Sequence, residues 1–409
     1  MKKYLLIGGS IATEGAIEGI LSVDKNADIT VLCGEKRPLY SRPLISYVLE
    51  KKTADENLYF RGKDYYEKKG VKAVFAEATA IDPAKKTVLA DGKAYPYDKL
   101  LVATGSKSFV PPIKGLDGVA KKHTFYTMDD MLGLRADLEK GGKVLIVGAG
   151  LIGMKCAEGV KEYTDDIVVA DMAPRPLPAA ITPEAGAIVQ ERLKDIVTFR
   201  LNAALDRFEG NKAVFASGEE IDFEILVLAL GVRPQVGLLK EIGAEINRGV
   251  IVNEKMQTSL ADIYAAGDLV ESYEAVGGGK RLLQLFPSAY LGGKTAGKNM
   301  AGEENAFLTD IPMNATKLFG VRITSAGLFV GEKTEVVSGE DYRAVYTEDG
   351  VIKGFILIGD STRAGILTDF IRRKRPVLNA EITKLLSDRD LSLYPEEERR
   401  AALGGNYEI

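Results

Sequence analysis

Two stretches of this 409-residue chain carry small residues at a spacing suited to gripping a phosphate. One is Gly148-Ala149-Gly150-Leu151-Ile152-Gly153, which follows the apolar run "VLIV" and opens a helix-like segment. In such a turn the first glycine permits the bend. The second lets the backbone approach a pyrophosphate at the positive end of the helix, and the third lets helix and strand pack closely. An acid is expected roughly 20 residues on, and Asp171 closes the next apolar run, "DIVVAD". A carboxylate there accepts from a ribose diol and repels a 2′-phosphate, so this half is expected to take NADH over NADPH.

The other stretch, Gly8-Gly9-Ser10-Ile11-Ala12-Thr13, has the same layout after "YLLI" but keeps only the first glycine of the pattern. Ser10 still permits a fairly close approach and adds a hydroxyl. Thr13 puts a β-branched side chain where helix and strand should touch, which leaves that packing in doubt. Glu35 occupies the acid slot. On these residues alone, a degraded dinucleotide turn and an ordinary tight turn both remain open.

The elements that must hold these turns are strands alternating with helices. Buried strands are expected at residues 4–7, in "DITVLCGE" ending at Glu35, and in "KLLVATGS". After the Pro/Gly-rich crossing "FVPPIKGLDG" they return at residues 144–147, in "DIVVADMAP", "EILVLALGVRPQ" and "SLADIYAAGDLVE". Alternation of this kind means an α/β fold with mostly parallel sheets, and the restart at Val144 reads as a duplicated nucleotide-binding unit. After "GEENAFLTD" the texture changes to shorter strands with Asp349-Gly350 hairpin chemistry, a small α+β domain. The last 35 or so residues, including the charged run "PEEERR", look helical.

Composition narrows the function. With 46% hydrophobic residues, 27% charged residues and a net charge of −4, the chain has the makings of a large core and no footprint for nucleic acid. Two cysteines, one histidine and no CxxC pair argue against a disulfide framework, structural zinc or an iron–sulfur cluster. "MKKYLLIGG" is short for a signal peptide, and no run of about 18 apolar residues is present. A cytoplasmic location without membrane contact is expected.

Five further segments occur in order: "YSRPLIS" (residues 40–46), "LLVATGS" (100–106), "LALGVRP" (228–234), "DIYAAGD" (262–268) and "MNATKLFGVRITSAG" (313–327). Together with the two turns they resemble the two-dinucleotide-binding-domain flavoproteins, the FAD-dependent pyridine nucleotide oxidoreductases. The resemblance runs over nearly the whole chain. It is nearest the branch of NADH:rubredoxin reductases, ferredoxin reductases, NADH oxidases and the flavin part of nitrite reductases. It implies that Gly8, Ser10, Ile11, Ala12 and Glu35 hold the FAD pyrophosphate and adenosine ribose, with Ala78 beside the adenine. Arg42 and Pro43 match the segment next to the flavin, and Ala103, Thr104 and Gly105 the turn closing over FAD. Asp268 matches the acid on the ribityl chain, with Gly267 giving room, and Phe286 and Pro287 line the ring. Gly148, Gly150, Leu151, Ile152, Gly153, Asp171 and Gly231 would form the NADH site. Each has a plainer reading: Asp268 as a helix cap, Arg42 as a solvated loop arginine, Phe286 as core.

Relatives that reduce disulfides or peroxides carry a cysteine after the "YxRP" segment or a CxxxxC pair on the first helix. Here that segment continues "LISYVLE", and Cys33 and Cys156 read as inert core thiols. Many ferredoxin-reductase relatives have a lysine in the place of Tyr47 and a glutamate in the place of Lys155. With the charges changed, Tyr47 and Lys155 become the candidate catalytic pair, Lys155 supplying positive charge beside the flavin. His123 reads as structural. The run Arg372, Arg373, Lys374, Arg375 is a candidate docking site for an acidic carrier, against the commoner reading of a solvated helix end. The expectation is thus an FAD domain at residues 1–110 and 239–305, an inserted NAD domain at 111–238 and a C-terminal interface-type domain at 306–409, possibly in a homodimer. The expected reaction runs from NADH through FAD to a small carrier such as rubredoxin or ferredoxin. The rivals are an NADH oxidase using oxygen and a flavoprotein subunit of a larger redox complex.

Overall fold

The computed structural model describes residues 1–308 and 310–387, in two compact units divided between Asp310 and Ile311. The first unit contains two five-stranded sheets, each wholly parallel. One runs in the order Ile263–Ala265, Lys99–Val102, Lys3–Ile7, Asp28–Leu32, Lys72–Val74. The other runs Lys122–His123, Ile225–Leu228, Val144–Val147, Ile167–Ala170, Thr198–Arg200. Helices cover such sheets on both faces, so their strands are continuous apolar runs rather than alternating ones. Val144, Leu145 and Ile146 are fully buried, as are Leu6, Leu100, Leu101 and Val102.

In each sheet the central strand leads into a glycine turn and a helix, Ile11–Val23 in the first and Leu151–Val160 in the second. The sheets differ in their fifth strand. In the second sheet it comes from the chain just before the central strand. In the first it is Ile263–Ala265, which arrives only after the second sheet is complete. The Asp28–Leu32 strand stops short of Glu35. Cys33 N donates once more to Val74 O (2.8 Å), and then Lys36 turns with φ +54°.

Helix Ile11–Val23 packs face to face on helix Phe286–Ala301. Glycines bring the two backbones together. A Cβ on Gly15 would sit 2.1 Å from Tyr290 O, and one on Gly293 would sit 1.9 Å from Ala12 O. The sequence is rich in glycine, with 43 residues, many of them between apolar runs, and part of that content serves this contact.

The second unit is a five-stranded antiparallel sheet in the order Met313–Leu318, Val321–Gly327, Val351–Ile358, Asp341–Glu348, Glu332–Ser338. Helices Ala364–Arg373 and Asn379–Ser387 pack on it. The expected hairpin is present: Glu348 pairs with Val351 across Asp349 and Gly350, both at positive φ (+53° and +70°), as a two-residue loop demands. The strands are longer than expected, at six to eight residues. The run "PEEERR" lies outside the described residues.

Candidate functional site

The two turns are built alike. Gly8 and Gly148 have φ of +117° and +115°. Gly8 N donates to Leu32 O (2.8 Å) and Gly148 N to Ala170 O (2.7 Å). A Cβ on either would strike the carbonyl of the neighbouring strand, Ala103 O at 2.1 Å or Ala229 O at 2.2 Å. The helices begin at Ile11 and Leu151, after Ser10 and Gly150 in extended conformation, and neither has a side-chain cap. Thr13 N donates to Ser10 O (3.0 Å), and the positive end that each helix presents ahead of its first turn favours an anion. At Gly150 a Cβ would point into open space, as a close ligand approach requires.

Thr13 corrects the doubt raised above. Its counterpart Gly153 tolerates no side chain, since a Cβ there would lie 1.9 Å from Gly148 O. Thr13 nevertheless fits, fully buried, because its Oγ1 donates to Gly8 O at 2.6 Å. The hydroxyl converts a clash with the turn's carbonyl into a hydrogen bond, and the turn survives without its third glycine.

The acids sit where the strands end. Asp171 accepts from Ala149 N (2.6 Å) inside the second turn and from Ala173 N (2.8 Å). Glu35 accepts from Tyr40 Oη (2.7 Å) and from Arg42. The Arg42 guanidinium also donates to Tyr126 O (3.0 Å) and lies 4.7 Å from the Tyr126 ring centre. The Tyr126 hydroxyl in turn donates to Asp268 Oδ2 (3.1 Å). Burial pushes the Asp268 carboxyl above the ordinary aspartate range, opposed by Tyr126 and the Arg42 charge. Glu35 and Arg42, seven residues apart, thus join the distant Asp268 in one chain of contacts through Tyr126, a residue the sequence reading did not single out.

Around this chain, Gly267 adopts φ +90°, and a Cβ on it would be 3.2 Å from that of Ala12, so the backbone before Asp268 runs beside the first helix. Asp268 O accepts from Ser106 Oγ (3.1 Å), which itself receives Gln284 Nε2 (2.7 Å). Thr104 and Gln235 exchange hydrogen bonds of 2.9 and 2.8 Å, and Gly105 O accepts from Gln235 N, tying the turn after Ala103 to the "GVRPQ" segment. Gly231 (φ +90°) accepts from Phe109 N. Pro43 sits in the short helical turn Arg42–Leu44, and Pro287 in the first turn of Phe286–Ala301. Phe286 is half-buried and meets Phe60 edge-on at 6.5 Å. Ala78 stands apart at the head of strand Ala78–Asp82, packed on the same core as Cys33.

Tyr47 and Lys155 do come together, Nζ 4.7 Å from the ring centre, but Lys155 is not a lone cation. It bridges two buried carboxylates, Glu50 at 2.6 Å and Glu158, and Lys52 reaches both from the other side. Two cations face two anions. Glu158 was findable in sequence, three residues along the same helix; Glu50 was not. Both thiols are buried, and burial pushes Cys33 up to about 11 and raises Cys156 as well. His123 binds Asp137 (3.0 Å). Among the described residues no group of metal-ligating side chains forms, and no helix is long and apolar enough to cross a membrane.

Residues 2–293 match the family model of pyridine nucleotide-disulphide oxidoreductases. The chain is 33% identical to an NADH oxidase of Methanocaldococcus jannaschii over 395 residues, 87% of each chain. It is 31% identical to a nitrite reductase [NAD(P)H] of Bacillus subtilis, covering 92% of this chain but only 48% of that one, so it spans about half of that relative. It is 28% identical to an NADH-rubredoxin oxidoreductase of Clostridium acetobutylicum, over 88% of this chain and 91% of that one.

Proposed function

The chain belongs to the pyridine nucleotide-disulphide oxidoreductase family, and from that premise we propose that it oxidises NADH with FAD as its flavin and hands the electrons to a small carrier protein such as rubredoxin or ferredoxin. The family makes it an NAD(P)H-dependent oxidoreductase; the flavin, the preference for NADH and the acceptor are our reading. FAD, when bound, supplies a ring that takes a hydride and gives electrons up singly.

The protein's part is placement. The uncapped helix starts at Ile11 and Leu151 offer N–H groups to two pyrophosphates. Asp268 offers an acceptor: among the described residues no donor reaches its Oδ1, which suits a sugar hydroxyl. Asp171 places a carboxylate just past the end of its strand, which opposes a 2′-phosphate. Glu35 and Arg42 line the first crevice. No acid–base pair is required of side chains for hydride transfer, and the balanced Tyr47–Lys155 cluster adds little net charge.

The observation that carries the acceptor assignment is the burial of both thiols. With Cys33 and Cys156 enclosed and held protonated, no described thiol can relay electrons, so the next acceptor lies outside the chain. Under anaerobic conditions, NADH is expected to bleach the flavin absorbance, and a carrier protein to restore it within turnover time. Fast aerobic NADH consumption without any carrier would instead favour an oxidase, a reading that the similarity to the Methanocaldococcus protein supports. Slow turnover with every free carrier would favour a subunit of a larger complex, as the half-length match to the nitrite reductase suggests.

A further inference from the structure

We propose that Tyr126 is a positioning residue of the flavin site, acting through Asp268 and delivered there by the opposite half of the unit. The proposal rests on the flavin reading above and deepens it.

Tyr126 follows the edge strand Lys122–His123 of the second sheet and stands just before Thr127, the N-cap of helix Met128–Leu138. Asp268 follows Ile263–Ala265, the edge strand of the first sheet. Their side chains nevertheless meet at 3.1 Å, across 142 residues of sequence. The tyrosine is fixed at every other polar point. Its N–H donates to Asp130 Oδ2 (2.9 Å), within the capping box of Thr127 and Asp130. Its carbonyl accepts from Arg42 (3.0 Å), and its ring lies against the Arg42 guanidinium. A phenol held this firmly has one free variable, the direction of its O–H, and Asp268 takes it.

The consequence falls on the carboxylate. Burial favours the neutral form of Asp268, in which one oxygen becomes a donor and either could face the crevice. A hydrogen bond from Tyr126 to Oδ2 favours the charged form and fixes the rotamer, which leaves Oδ1 as an acceptor for a ligand hydroxyl. Burial and the Asp268 charge keep the phenol itself protonated, so it stays a donor throughout the working pH range. The first sheet supplies the acid; the second supplies the group that orients it.

Tyr126→Phe removes one oxygen and keeps the ring, the Arg42 contact and the backbone bonds. The holoprotein is diluted and the fluorescence of released FAD gives a Kd for the wild type, Tyr126→Phe, Asp268→Ala and the double variant, with thermal melts as a check on folding. A hydrogen bond to a charged group corresponds to roughly tenfold or more in binding. We expect Tyr126→Phe to weaken FAD by at least about tenfold in the wild-type background and less than about twofold where Asp268 is already alanine. A change under twofold in the wild-type background overturns the proposal, as does an equal loss in both backgrounds. A wild-type protein that purifies and reconstitutes without flavin overturns the flavin reading instead, which keeps the two failures distinct.

Discussion

At the scale of single residues, charge balance governs what Lys155 does. Glu50 and Glu158 have side chains only 1% and 6% exposed, so neither can be left unpaired cheaply. Removing Lys155 leaves two desolvated carboxylates to share the half-exposed Lys52 alone, and loss of one cation from a buried cluster of this kind costs up to about 3–5 kcal/mol. Lys155→Met is therefore expected to lower the urea midpoint substantially, and Lys155→Met with Glu50→Gln and Glu158→Gln to recover most of the loss. A flavin potential that shifts strongly between the Glu50→Gln, Glu158→Gln double variant and the triple variant would show that Lys155 acts on the flavin and not only on its carboxylate partners. The sequence exposed Lys155 and Tyr47 through the resemblance to ferredoxin reductases, and Glu158 was within reach at helical spacing. Glu50 was hidden, because its contact depends on how a short helix near residue 50 lies against Leu151–Val160. Thr13 teaches the same lesson from the other side. Its β-branch was visible, but the hydrogen bond from its hydroxyl to Gly8 O was not.

At the scale of elements, the helix starting at Ile11 is held from two directions. Its N-terminus is set by the Gly8 turn, and its flank by the glycines shared with Phe286–Ala301. The Gly267–Asp268 corner lies beside both helices, since a Cβ on Gly267 would be 3.2 Å from that of Ala12 and 3.9 Å from that of Ala289. Gly293→Ala forces a methyl against the Ala12 carbonyl and must push the helices apart. Overpacking of this kind costs about 3 kcal/mol. The expected result is a lower melting temperature together with weaker flavin retention, whereas Gly365→Ala, where a Cβ meets nothing, leaves both unchanged. The sequence showed that glycine was abundant and lay between apolar runs. Which glycines serve turns and which serve a helix contact depends on a partner helix some 270 positions away.

At the scale of the whole molecule, the two sheets repeat one design, and the chain threads them so that the first is finished only after the second. That threading brings Tyr126 to Asp268 and Gln235 to Thr104, so residues around the second sheet hydrogen-bond to residues that follow strands of the first. The second unit presents Arg372 and Arg373 in the last turn of Ala364–Arg373, where Arg373 pairs with Asp369 and Arg372 is exposed. If an acidic carrier docks there, Arg372→Glu with Arg373→Glu is expected to slow carrier reduction roughly tenfold at low salt and much less at high salt, with NADH-to-dye turnover unchanged. Equal rates at every ionic strength would remove this patch from the docking surface. By itself the sequence determined the glycine turn at Gly148, the parallel strands and the Asp349-Gly350 hairpin, and left the turn at Gly8 open. Those features follow from steric rules acting over a few neighbouring residues. Only the tertiary structure decided that Tyr126 meets Asp268, that Lys155 is paired with Glu50 as well as Glu158, and that Gly293 lies against Ala12. Those contacts join residues of ordinary type across long loops, and their worth comes from burial and through-space geometry that no local pattern encodes.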